Sequence, residues 1–534
     1  MQKNNINILP IIKKLIEQYY LLPVLLSVLY FFYFTQFGLD FTDGFFHINE
    51  ATHVTGNLPF ETILTSHILK LVYLIVGKNL FCYRLINSFL FFVSFMLIYG
   101  LIRNKKQLFF STLLVSCFFI IATPMNFNIL GFDSFSVLFI TLTIWFTLKY
   151  SMNSFVNIVL LSLLIASSIL TRLPNAVFLP ILFFYFLYCK QKNNWTNKKL
   201  FMNYSYLWIF TALIYFTYLL LTYHNFQNAF SSFASNERHG IFHLIRHYYM
   251  DLPGLLYNSM VFLILLLIAF FQKKQYPIIT VLVFFSIFYY LFKNTYHVYH
   301  WSYSIMLFAF LTILFAFHYF RVKKINPKLI FIYLSTLTIC IGSNTGFMKM
   351  GLLCPVAMLF CYEISKEIDR KFIVYMLIGF SAYGIFEQRY YIFEDSHLTA
   401  LQYKIETKGL SPIRTSKNHY DFINAVTKKT EELKTRGYKV VYYGKISHLF
   451  NFLNPAPRKM YTFDQGTKNT EEINEIISKH GTNKLALIIT YESEMGYQKW
   501  FKNKPIEKEI VKQGFRLSSD SSLTIYLRES PQNP

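Results

Sequence analysis

The sequence predicts an α-helical polytopic membrane protein, with about thirteen transmembrane helices in residues 1–390 and a small extracytoplasmic α/β domain in residues 391–534. Three observations predict it. Of 534 residues, 54% are hydrophobic and only 15% charged, with a mean hydropathy of +0.35; soluble chains carry roughly 25% charge. Strongly basic stretches recur only between alternate apolar runs. Beyond about residue 390 the long apolar runs stop and amphipathic segments replace them.

The first span is 19–37, an uncharged run long enough to cross a hydrocarbon core of about 30 Å. Lysines precede it and no small-residue cleavage site is present, so a retained helix is expected rather than a signal peptide. Further apolar runs occupy 85–101, 108–123, 135–148, 155–170, 177–188, 206–223, 255–271, 277–292, 303–320, 329–341, 351–364 and 372–386. Arg103, Lys105 and Lys106 follow the second run, and Lys190, Lys192, Lys198 and Lys199 follow the sixth. Lys273 and Lys274 follow the eighth, Arg321, Lys323, Lys324 and Lys328 the tenth, and Lys366, Arg370 and Lys371 the twelfth. Every strongly basic connection thus follows an even-numbered span and falls on one side, which the positive-inside rule makes cytoplasmic. The N-terminus is then cytoplasmic. The first loop (38–84), the loops at 126–134, 171–175, 223–254 and 342–349, and the C-terminal portion all lie outside.

In that portion DFINAVTKKTEELKTRGYKVVYYG reads as an amphipathic helix, a turn at Gly437 and a strand, and LALIITYE and SLTIYLRE read as further strands. About 140 residues suffice for one small core.

The composition also excludes functions. The net charge of +23 lies largely in the cytoplasmic connections, where orientation and anionic headgroups account for it, so no nucleic-acid partner is implied. The six cysteines lie in or beside spans, which excludes a disulfide framework in the outside domain. No CxxC, HExxH or P-loop pattern occurs.

Acids beside a membrane span cost desolvation free energy, so Asp40, Asp43 and Glu50 after the first span point to an active-site loop. Asp43 could equally cap a helix over 45–50. Asp133 is an outside acid that could cap a helix from Ser134. Outside cations are His67, Arg84, Arg172 and Lys349, together with Arg238, His239, His243 and Arg246 in the long loop. Arg84 and Arg172 could instead be snorkelling anchors, and the Arg/His run a solvated interfacial helix.

The first loop resembles that of the GT-C superfamily of membrane glycosyltransferases, in particular the protein mannosyltransferase and aminoarabinose transferase branch (glycosyltransferase families 39 and 83). Asp43 with Phe45 and Phe46 matches the acidic-aromatic element, and Gly56, Asn57, Leu58, Pro59 and Phe60 match the Gly-x-Pro-Tyr-like turn. Ser66 and His67 match the site that follows, and Arg84, Leu85, Ile86 and Asn87 the Arg-Leu start of the next helix. NILGFDS, with Asp133, is similar to the second outside loop, and Thr171, Arg172, Leu173 and Pro174 to the third. Gly44 departs from the usual Asp-Glu pair; Asp40 or Glu50 could supply the second acid.

The resemblance implies sugar transfer from a polyprenyl-phosphate donor to a lipid, glycan or protein acceptor at the outer face of a bacterial inner membrane. Asp43 would be the general base, with Asp40 second and Asp133 the acid of the second loop; Phe46 and Glu50 would meet sugar or acceptor. The cations would bind the donor phosphate, a role a divalent metal such as Mg or Mn could share. Two other classes fit the span number: a polysaccharide polymerase or ligase using lipid-linked glycans, and a non-catalytic transporter or flippase. The latter would place ionisable residues near mid-membrane, whereas here they gather at one face.

Overall fold

The computed structural model describes residues 21–39, 43–53, 60–103, 107–124, 130–222, 241–271, 300–323, 326–343, 346–368, 370–390, 392, 395–443, 447–454, 484–489, 505–518 and 523–529. They form two compact units. The first takes Met1–Thr35, Pro59–Thr65 and Arg84–Ile392; the second takes Gln36–Leu58, Ser66–Tyr83 and Phe393–Pro534.

The first unit is helical. Among the described residues, five helices are long and apolar enough to cross a membrane: Leu80–Ile102, Phe132–Lys149, Leu173–Asn193, Asn197–Thr222 and Tyr303–Val322. Shorter apolar helices are Leu21–Gln36, Leu108–Ala122, Phe155–Thr171, Pro327–Cys340 and Phe372–Phe386. A continuous core of Phe, Ile and Leu joins them, with Phe95, Phe118, Phe119, Phe178 and Phe186 fully buried. The outward faces are as apolar as the core. Leu21, Leu22, Leu25, Leu26 and Leu29 line one side of the first helix, and Leu220 and Leu221 are 69% and 79% exposed. Such stripes are unfavourable in water and at home in lipid. The chain is a helical, multi-pass membrane protein.

Connections of like character meet at the same end of this unit. Trp195 Nε1 donates to Asn153 Oδ1 (2.7 Å), and Asn203 Nδ2 to the Met152 carbonyl (3.2 Å). Lys328 pairs with Glu363 (3.1 Å) and lies 5.9 Å from the Tyr188 ring. These contacts gather the turn that follows Lys149 and the basic turns that follow Lys190, Arg321 and Ile364 into one end. The turns at 131–134, 171–177 and 339–349 meet at the other.

Several elements differ from the sequence reading. The runs at 329–341 and 351–364, expected as continuous spans, are broken: α-helices cover only Pro327–Ser335 and Cys354–Ile364, nine and eleven residues. At 1.5 Å per residue these reach about 14 and 17 Å, well short of a bilayer. Between them lie 3-10 helices at Thr338–Cys340 and Gly346–Leu353, with Gly342 and Gly346 at positive φ. Irregular backbone is tolerated at membrane depth when protein covers it, and Thr336, Thr338, Ser343 and Cys340 are all buried here. The helix after the loop expected at 223–254 begins earlier than expected, running Ile241–Phe271 over 31 residues with Pro253 inside it. The expected span at 277–292 lies outside the described residues.

The second unit holds most of the loop at 38–84 together with the C-terminal segment. That loop is substantially helical, with helices Asp43–His53 and Ile63–Val76. The latter has 14 residues, about 21 Å, too short to span. The C-terminal segment forms a four-stranded sheet in the order β3-β4-β6-β5, with β3 Lys439–Tyr443, β4 Leu485–Ile489, β5 Arg516–Leu517 and β6 Ile525–Arg528. β3 and β4 are parallel and the other pairs antiparallel. Every residue of β4 is buried, as a strand covered on both faces requires. Helix Lys417–Thr435 buries Ile423, Val426, Thr430 and Leu433, a stripe at helical spacing. Thr430 accepts a hydrogen bond from Tyr442 of β3 (2.9 Å), and Gly437 turns the chain between them at φ +81. A separate ribbon pairs β1 Tyr403–Lys404 with β2 Arg414–Thr415.

Candidate functional site

In the first unit, three residues from three different connections converge at the end opposite the basic turns. Asp133 stands in the first turn of helix Phe132–Lys149, where the helix dipole favours a carboxylate. Its position is set by its neighbour: Ser134 Oγ donates to Asn87 Oδ1 (2.6 Å) and accepts from the Gly131 N–H (3.3 Å). Lys349, on the 3-10 helix Gly346–Leu353, donates to Asp133 Oδ2 at 2.7 Å. Arg172, which ends helix Phe155–Thr171, brings Nε to 3.9 Å from Asp133 Oδ1 and donates through Nη1 to the Ile339 carbonyl (2.9 Å). The Phe132 ring lies 5.1 Å from the Lys349 ammonium and 6.0 Å from the Arg172 guanidinium. Two cations therefore share one carboxylate on an aromatic floor. Arg172 and Lys349 are buried, so their charges are weakly screened.

The surrounding chain is fitted to this cluster. A Cβ on Gly342 would sit 2.4 Å from Pro174 Cγ, so the turn that follows Cys340 approaches the Arg172 turn as only glycine allows. Asn175 Nδ2 donates to Ser136 Oγ (2.8 Å) and to the Ser168 carbonyl (3.0 Å), tying that turn to both helices beneath it. Tyr248 donates to the Cys340 carbonyl (2.5 Å), and Asp251 accepts the Phe347 N–H (2.8 Å). The sequence reading did not single out Tyr248, Asp251 or Phe132. Asp251 carried a signal, an acid three residues from a tyrosine at the edge of an apolar run.

The second unit carries the first-loop residues. Asp43 is the first residue of helix Asp43–His53, so the acid opens a helix. Phe45, Ile48, Asn49 and Ala51 are buried. The buried face meets helix Ser447–Leu453: Asn49 Nδ2 donates to the His448 carbonyl (2.8 Å), and the Phe45 and Phe452 rings are 5.3 Å apart. His67 lies half-buried on helix Ile63–Val76, and burial with the charge of Lys70 holds its imidazole below the ordinary histidine value.

The other expected cations stand apart from the cluster in role or in coverage. Arg84 is buried and donates to the Thr35 carbonyl (3.2 Å), closing the end of the first helix. Arg246 is exposed, and His243 falls on the same helix, Ile241–Phe271. Asp40, Arg238 and His239 lie outside the described residues. Among the described residues no three of His, Cys, Asp and Glu gather at metal-binding spacing. Asp133, already engaged by two cations, is a poor divalent-metal ligand.

No protein-family model and no curated protein matches this chain.

Proposed function

We propose that this protein is a GT-C-like membrane glycosyltransferase, moving a sugar from a polyprenyl-phosphate donor to a hydroxyl acceptor outside the cytoplasmic membrane. The observation that carries the reading is the Arg172–Asp133–Lys349 cluster, with both cations buried, at the end opposite the basic turns. Two cations to one carboxylate leave positive charge unspent, the arrangement that a departing phosphate monoester needs. The first-loop motif supplies the rest of the reading. About thirteen spans, a cytoplasmic N-terminus and an outside C-terminal domain, in a bacterial inner membrane, belong to the same proposal.

In this reaction the acceptor oxygen attacks the anomeric carbon, the new C–O bond forms, and the bond from that carbon to the phosphate oxygen breaks. The bonding pair leaves on the phosphate, and the acceptor's proton passes to the Asp43 carboxylate. Within the first unit Asp133 orients the Lys349 ammonium, and Arg172 and Lys349 are the cations that unit offers a phosphate. Polyprenyl phosphate is the second product.

The test is transfer by the purified protein in lipid, supplied with a panel of polyprenyl-phosphate sugars and with donor binding measured in parallel. Asp43→Asn should abolish transfer and retain donor binding, whereas Lys349→Met should weaken donor binding. Use of no donor by the wild type would overturn the reading. Long glycan products from lipid-linked oligosaccharides would point to a polymerase instead.

A further inference from the structure

Within the second unit the first-loop segments are fastened to the C-terminal chain at three places. Where the loop begins, the Gly38 N–H donates to the Arg414 carbonyl (2.9 Å) and the Leu39 N–H donates to Asp395 Oδ2 (3.0 Å). In the middle, helix Asp43–His53 rests on helix Ser447–Leu453 through Asn49 and Phe45. Where the loop ends, the Leu80 N–H donates to the Gly409 carbonyl (2.8 Å) and Lys78 Nζ to the Leu453 carbonyl (3.3 Å).

Asp395 differs from the other fasteners. Its side chain is 0% exposed, and His419 Nδ1 lies 2.9 Å from its Oδ1. It accepts from Thr415 Oγ1 (2.5 Å) and from the Ser416 N–H (3.2 Å) as well as from Leu39. A buried carboxylate is held this firmly only when its lone pairs are filled, and a donor removed from it leaves charge uncompensated. One of its donors belongs to the first loop and three groups belong to the C-terminal segment. The helix that opens with Asp43 starts four residues after Leu39.

We propose that Asp395 is a positioning residue, fixing the backbone at Leu39 against the C-terminal domain and thereby setting the acid-bearing helix Asp43–His53. The C-terminal domain on this view is a brace for the first loop. The consequence for catalysis rests on the glycosyltransferase reading; the consequence for backbone order does not.

The experiment is hydrogen exchange on the full-length protein in lipid, comparing wild type, Asp395→Ala, Asp395→Asn and a strand control, Val441→Ala. In Asp395→Ala, exchange at 37–39 and 43–53 should accelerate by about tenfold or more, the effect of losing a hydrogen bond to a charged acceptor. Exchange in β3 and β4 should stay within about twofold of wild type. Asp395→Asn keeps one acceptor oxygen and should recover part of the protection, which also serves if the alanine variant does not accumulate. With a donor that the wild type uses, Asp395→Ala should lower kcat and leave the donor KM unchanged. Unaltered exchange at 37–53 would overturn the proposal. So would acceleration spread evenly over the unit, or the same pattern in Val441→Ala, since either reports domain stability alone. If no donor is used, the transferase reading fails and the exchange comparison still decides the role of Asp395.

Discussion

At Gly342 the backbone has φ +72, and a Cβ there would overlap Pro174 at 2.4 and 2.6 Å. Conformational strain and a clash with a ring that cannot move aside act together. Gly342→Ala should therefore cost about 2 kcal/mol or more in local stability, read as faster hydrogen exchange over 338–349. Gly437 supplies the comparison: its φ is +81, but nothing lies within 4 Å of its Cβ position. Gly437→Ala should cost only about 1 kcal/mol, from backbone strain alone. Equal costs at the two sites would refute the close approach to the Arg172 turn. Asp395 makes a second residue-scale prediction, in pH. Burial works against its ionisation, but His419, Thr415 and Ser416 outweigh that and hold its carboxyl below the usual carboxylate value. A carboxyl lowered on folding stabilises the fold above its unfolded value near 4, and that contribution is lost as pH falls through the lower, folded value. Protection at 395–420 should then be flat from pH 7 to about 5 and fall only below about pH 4, while Asp395→Asn shows no such acid step.

The 3-10 turn Leu173–Val177 is the element that aims Arg172, and Asn175 is its anchor, buried and hydrogen-bonded to Ser136 and Ser168. Asn175→Ala removes no charge from the cluster, yet leaves a buried carbonyl and two hydroxyls short of a donor, at a cost of about 1–3 kcal/mol. It should weaken binding of a polyprenyl-phosphate sugar several-fold while Asp133, Arg172 and Lys349 remain in place; unchanged binding would deny the turn its role. Elements of this kind were legible in part. Arg172 was visible in the sequence as an outside cation beside Pro174, because span ends are marked by charge. Its meeting with Lys349, 177 positions along the chain by sequence number, was not, because hydropathy carries no information about which turns pack together. The broken segment that delivers Lys349 was hidden for a related reason. An apolar run reads as one span whether its backbone is helical or not, and only Gly342, Gly346 and Pro355 mark the breaks. Helix Ile63–Val76 is hidden in the sequence because its 14 residues are too few to mark a span and it lies between two longer apolar runs.

For the whole molecule, alternation of basic connections is readable without any structure, and the contacts among Asn153, Trp195, Lys328 and Glu363 place the connections after the sixth, tenth and twelfth runs at one end. The candidate site lies at the other end of the same unit, with Asp133, Arg172 and Lys349. What assigns these ends to the two sides of a membrane is the excess of lysine and arginine, a statistical rule about insertion. The native thiols make that assignment testable, since Cys117, Cys189, Cys340, Cys354 and Cys361 are buried and only Cys82 is partly accessible. In a Cys82→Ser background, Lys198→Cys and Lys417→Cys each place a thiol at an exposed position, the first in a basic connection and the second in the C-terminal segment. In sealed, right-side-out vesicles a membrane-impermeant maleimide should label Lys417→Cys at once and Lys198→Cys only after permeabilisation. Labelling in the reverse order would put the Asp133 end in the cytoplasm, where nucleotide sugars are available and a lipid-linked donor is not required. Labelling of both from outside would break the alternation itself, and with it the odd number of spans.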